Sequence, residues 1–154
     1  MRRPIVIVAM VIAALSLAST AYANDLKFTA ELTGAQERPI PVQTEGEGEA
    51  KFESDGTSVA FELKWKNLST PAISAHIHCG GPEEAGPVGV TLFASTMGTE
   101  GEVQGSFTAP DPGNACNWDD LADVLEAMAA GGAYVNVHST RFPGGEIRGQ
   151  VTVD

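Results

Sequence analysis

Bases are scarce in this chain of 154 residues. Nine Lys and Arg stand against 20 Asp and Glu, for a formal charge of −11 and a pI near 4.5. Only 19% of residues are charged, so the acidity reflects missing bases. Phosphate contacts need a basic patch, which excludes nucleic acid as a partner. Attraction to anionic lipid is excluded on the same ground. A cation or a basic partner suits this charge. Catalytic signatures are missing too. There is no G-x-S-x-G motif and no Cys/His pair at a credible spacing, which argues against a hydrolase. No Gly-rich phosphate loop leads into a helix, and Gly46-Glu47-Gly48 lies in an acidic stretch that repels phosphate. No internal repeat of useful length is present. What remains is a 43% hydrophobic composition, which rules out wholesale disorder. The length suits one domain able to bury a core.

Long apolar runs are also lacking, apart from residues 5–18. That run falls short of the about 20 residues a bilayer span needs. Met1-Arg2-Arg3 precedes it, and Ala21-Tyr22-Ala23 supplies a small-x-small cleavage pattern. Residues 1–23 therefore read as a secretory signal peptide cut after Ala23, with the exported domain at residues 24–154. No Cys follows the run, so no lipid anchor is expected, and no membrane span is left after cleavage. The expected location is secreted or periplasmic. Cleavage also removes Arg2 and Arg3, which leaves the domain more acidic still.

Export changes the meaning of the two cysteines. Cys79 and Cys116 both lie in the exported part. In an oxidising compartment an even pair favours one disulfide. A loop of this size would contribute roughly 3–4 kcal/mol by limiting the unfolded state. Two free thiols, or Cys79 as a metal ligand beside His78, are the competing readings.

Period-two alternation dominates the exported part. Leu26–Thr33 puts Phe28, Ala30 and Leu32 on one face. A Pro/Gly/Glu-rich connection covers residues 34–48, and Ala50 and Phe52 mark a short second strand. Asp55-Gly56 signals a hairpin turn. Val59, Phe61, Leu63 and Trp65 then alternate with Ala60, Glu62, Lys64 and Lys66. Ile73, Ala75 and Ile77 share a face, with Ser74, His76 and His78 opposite. Further strands are expected from Val88 to Leu92, from Val103 to Phe107, from Ala133 to His138 and over residues 146–153. One helix carries Leu121, Val124, Leu125 and Met128 at helical spacing. Asn117 is its expected N-cap, Asp119-Asp120 suit its positive end, and Gly131-Gly132 ends it. About eight strands and one short helix imply an all-β fold, a Greek-key sandwich or barrel.

The three histidines carry the only pointed chemistry. All sit on strand faces opposite the apolar residues. His76 and His78 are two apart, so they project from one side with Cα atoms about 6.5–7 Å apart. His138, on a neighbouring strand about 4.8 Å away, would complete a three-imidazole set. Such a set suits copper or zinc and leaves a coordination position open. The plainer reading is a polar outer face. Glu146 would orient a histidine or pair with Arg148, or stand solvated at a strand start. Arg141 and Arg148 are expected to pair with nearby acids. Asn67-Leu68-Ser69 forms a glycosylation sequon.

The segments LTGAQERP (residues 32–39), AHIHCG (residues 75–80), GPVGVTL (residues 86–92) and YVNVHSTRFPGGEIRGQV (residues 134–151) resemble the CHRD, or chordin-type, domain. The resemblance covers nearly all of residues 24–154 and implies a small exported β-domain. The cysteine-rich modules of chordin are absent. A second resemblance is to copper/zinc superoxide dismutase, where His76, His78 and His138 match three copper ligands in order and type. No histidine lies between His78 and His138 to bridge to a zinc site. The arginine that guides superoxide falls near Glu146, with Arg148 two residues further on at the same parity. Three functions follow: a binding module holding copper or zinc, a metal-free structural or protein-interaction module, and a copper-dependent dismutase-like oxidoreductase. No catalytic residue is assigned.

Overall fold

Alternating side chains become alternating burial in β1 (Leu26–Thr33), β2 (Glu47–Ser54) and β3 (Val59–Lys66). Phe28, Ala30 and Leu32 turn inward, as do Phe52 of β2 and Phe61, Leu63 and Trp65 of β3. The chain is described by a computed structural model over residues 26–154. The expected signal peptide lies outside the described residues. Within them follow β4 (Ala72–Cys79), β5 (Val88–Phe93), β6 (Gly101–Phe107), α1 (Leu121–Ala129), β7 (Ala133–Ser139), β8 (Ile147–Gln150) and β9 (Thr152–Val153). No helix among the described residues is long and apolar enough to cross a membrane.

The strands form one antiparallel sheet in the order β5-β4-β7-β8-β1-β2-β3-β6, with β9 also pairing β1. The sheet curls into a nearly closed barrel. Its end strands, β5 and β6, are consecutive in the chain, and the residues between them span the gap. Met97 N–H donates to Ala72 O at 2.8 Å, and Leu68 N–H donates to Thr99 O at 3.0 Å. Trp65 of β3 stacks on Phe93 of β5 at 5.3 Å. β7 returns beside β4 after β4, β5 and β6 have run in sequence, which is a Greek-key connection. The all-β fold with one helix is thus as the alternation predicts. Burying each large apolar side chain inside it contributes about 1.5–3 kcal/mol.

Three local expectations change. The second strand is a full partner of β1 and β3 over eight residues, not a short one. Its Gly and Glu positions hide it from an apolar pattern. The last strand divides into β8 and β9 around Val151, whose N–H donates to Ala133 O at 2.9 Å. The helix N-cap is Asp120, not Asn117. Its Oδ1 accepts from Ala122 N–H at 2.9 Å and Asp123 N–H at 3.2 Å. Asn117 lies in the loop before α1 at φ 59°, three residues too early to reach those donors. The helix ends as expected, with Gly131 at φ 70°. Cys79 and Cys116 come to disulfide distance with Cα atoms 5.7 Å apart, joining the end of β4 to the loop before α1.

Candidate metal centre

Strand register assembles the histidines. His76 of β4 lies opposite Asn136 of β7, His78 opposite Tyr134, and Ser74 opposite His138. Their alternation partners Ala75, Ile77, Val135 and Val137 point into the core. The three rings therefore share the outer face of β4 and β7. That face is not open to solvent: His78 and His138 are buried, and His76 is half-buried. Segments 80–87, 140–146 and 35–46 cover it, so the expectation of a merely polar outer surface fails at this point.

Backbone carbonyls of two covering loops fix two of the rings. His78 Nδ1 bonds to Gly86 O at 2.9 Å. His138 Nδ1 bonds to Pro143 O at 3.0 Å. A carbonyl only accepts, so both Nδ1 atoms carry the proton and both Nε2 atoms keep a lone pair. His76 Nδ1–H then donates to His138 Nε2 at 3.0 Å. His78 Nε2 is buried with no partner at all. One nitrogen from each ring lies within 4.8 Å of the other two. Some point therefore lies no more than about 2.8 Å from all three, a small contraction from metal–nitrogen distances of about 2.0–2.1 Å. Two lone pairs are aimed and fixed, and the third needs only a proton shift from Nδ1 to Nε2 on half-buried His76. This donor set fits a copper or zinc ion.

Electrostatics keep the rings neutral. Burial pushes His76 down from 6.5 to about 4, and the neighbouring His138 and His78 add to it. Burial pushes His78 to about 4 against the opposing hydrogen bond to Gly86. His138 is lowered, again by burial, against its bond to Pro143. Neutral imidazole is the form that binds metal.

The remaining expected residues are placed nearby but do other things. Arg148 of β8 lies opposite Asn136, so His76, Asn136 and Arg148 form one row across three strands. Arg148 is 1% exposed. Its guanidinium donates to Glu84 O at 2.6 Å and Gly81 O at 2.8 Å. It lies 3.5 Å from the centroid of the Tyr134 ring, which stacks on His78 at 4.9 Å. Neither Arg148 nor Arg141 forms an ion pair with an acid among the described residues, contrary to expectation. Arg148 instead braces His78 through Tyr134 and faces into the protein, away from any anion in solvent. Glu146 is fully buried, not a solvated strand start. Its Oε1 accepts from Thr44 Oγ1 at 2.6 Å and Ser69 N–H at 2.7 Å, so it ties two loops together rather than orienting a histidine. Burial alone would raise its pKa, but hydrogen bonds from Ser139, Thr44 and Ser69 hold it below the ordinary carboxylate value. Cys79 is taken up with Cys116 and leaves the histidines without a thiolate.

Three residues of the site had no assigned role in the sequence: Tyr134, Asn136 and Glu37. Tyr134 shares the parity of His138, which places it on the same face. Its hydroxyl accepts from Gly86 N–H at 2.9 Å and donates to Gly86 O at 3.1 Å, holding the loop that orients His78. Glu37 has no such signal. It lies 99 residues from its partner Asn136 in the chain.

A family model for the CHRD domain matches residues 28–151. No curated protein matches the chain.

Proposed function

The chain belongs to the CHRD-domain family, and on that footing we propose that it is an exported binding module holding one copper or zinc ion on His76, His78 and His138. The observation that carries this reading is His78 Nε2, a buried lone pair with no partner, set among nitrogens within 4.8 Å of one another. An unpartnered buried acceptor is costly, and a bound cation removes that cost. The ion would supply a Lewis acid with a position open to an outside ligand. The chain's own part is to hold the three rings neutral and aimed, through Gly86 O, Pro143 O and the Arg148–Tyr134 stack. Export is supported by the sequence of residues 1–23 and by a cysteine pair at disulfide distance, which suits an oxidising compartment. The secreted or periplasmic location belongs to the same proposal.

Metal analysis after loading with Cu²⁺ or Zn²⁺ tests it. The protein is expected to retain near-stoichiometric metal, and His78→Ala to lose it while staying folded by circular dichroism. Equal metal in both proteins would sink the proposal. One observation favours a metal-free module instead. The His76–His138 hydrogen bond at 3.0 Å satisfies two of the three rings without an ion. That reading predicts no retained metal and an unchanged partner in a triple histidine variant.

A further inference from the structure

Beside the histidines, two buried oxygens lack partners on a single pair of residues. Asn136 Nδ2 donates to Glu37 Oε2 at 3.3 Å. The other oxygens of the same two groups, Glu37 Oε1 and Asn136 Oδ1, have no hydrogen-bond partner. Both residues are 3% exposed. Gly145 presses on the same spot, at φ 125°, where glycine is favoured. A Cβ there would run into the Asn136 amide and come within 2.7 Å of Glu37 Oε1. Two oxygens that only accept, shut away together, are unfavourable. One proton resolves both, because a carboxylic acid donates from one oxygen while it accepts at the other.

We propose that Glu37 is a neutral carboxylic acid in the native protein, donating from Oε1 to Asn136 Oδ1, and that this two-way acid–amide pair latches the 37–46 segment onto the outer face of β7. The carboxylate takes up one proton from solvent, and no other bond changes. The latch stands whether or not a metal binds. Its neighbours are Arg148 of β8, whose charge favours ionised Glu37, and Tyr134 of β7, which Glu37 in turn affects. The Arg38–Glu83 ion pair at 3.0 Å acts on Arg148 with both signs. His76, opposite Asn136, is neutral. Burial outweighs the Asn136 hydrogen bond and the Arg148 charge, and pushes Glu37 from 4.5 to about 7.

The folded state therefore binds more protons than the unfolded state between these two values. The latch's contribution is full below pH 4.5 and is lost as pH rises through about 7. Gly145 lies two residues after Pro143, whose carbonyl bonds to His138 Nδ1, so the latch and the cover over the histidines share one loop.

Carbon-13 NMR of the protein labelled at Glu carboxyls tests the protonation state, with Glu37 assigned sequentially. Its carboxyl is expected at the protonated position at pH 5.5 and to move to the ionised position around neutrality. An ionised Glu37 carboxyl at pH 5.5 would overturn the proposal and leave a water or cation as the partner of the two oxygens. Thermal unfolding of Glu37→Gln is the second arm, since a glutamine amide can make both bonds. The variant is expected to match the parent Tm at pH 5.5 and to exceed it at pH 8.5. A variant Tm lowered equally at both pH values would also overturn it.

Discussion

On β2, β3 and β6 the outward side chains are mostly lysines and glutamates facing solvent, whereas on β4, β7 and β8 they include His, Tyr, Asn and Arg beneath loops. Lys64 reaches Glu62 at 2.6 Å and Glu102 at 3.7 Å, and Lys66 reaches Glu47 at 2.9 Å. Water and salt screen such pairs, so they contribute little to stability. Arg148 sits at the same kind of outward position, yet it is buried and bonded to two backbone carbonyls. The strand period places both sets outside the barrel. Loops decide which of the two stays wet, and burial turns ordinary polar side chains into shifted pKa values and aimed lone pairs.

The comparison is sharpest in stability. Arg148→Ala takes the charged donor from Glu84 O and one of the two donors from Gly81 O, which keeps Glu84 N–H, at about 1.5–3 kcal/mol, and removes the cation–π support under Tyr134. A loss of roughly 4 kcal/mol is expected in urea denaturation. A near-neutral result would put the two surfaces on one footing. Cys79→Ser with Cys116→Ser frees the end of β4 from the loop before α1. At a sequence separation of 37, the cysteines should contribute about 3–4 kcal/mol. The same loss should follow reduction of the parent protein, and no effect of reductant would mean the thiols are unpaired.

Acid should also separate the two faces. A histidine held near 4 binds fewer protons folded than unfolded between pH 4 and 6.5, so its contribution to stability is lost as pH falls through that window. In metal-free protein carrying Glu37→Gln, which silences the opposing carboxyl, Tm is expected to fall from pH 6.5 to 4. Replacing His76 and His78 by Gln should flatten that fall, and an undiminished fall would place the rings in a solvent-like setting. The smallest effect is on the charged face. Lys64→Ala should leave the denaturation midpoint unmoved, and a clear shift would show its ion pairs to be stronger than their exposure allows.

The strands of the barrel were largely legible, because alternation survives wherever one face is apolar. β3 reads directly from Val59, Phe61, Leu63 and Trp65. β2 was only half visible, since Glu47, Gly48 and Glu49 owe their strand to pairing on both sides. The candidate site was legible in its ligands and not in its supports. His76, His78 and His138 stand out by number and parity. Glu146 and Arg148 looked like partners for the histidines or for each other, and their contacts instead run to loops distant in the chain.

By itself the sequence determined an acidic chain, an all-β fold with one helix, the face on which each histidine lies and the CHRD resemblance. These are local or compositional properties, set by side-chain period and charge count. Only the tertiary structure decided that His138 meets His76, that Arg148 is buried beneath loops and that Glu37 closes on Asn136. Each depends on strand order and loop coverage, which bring together residues 62 to 99 positions apart, and no local pattern encodes which outer face the loops will cover.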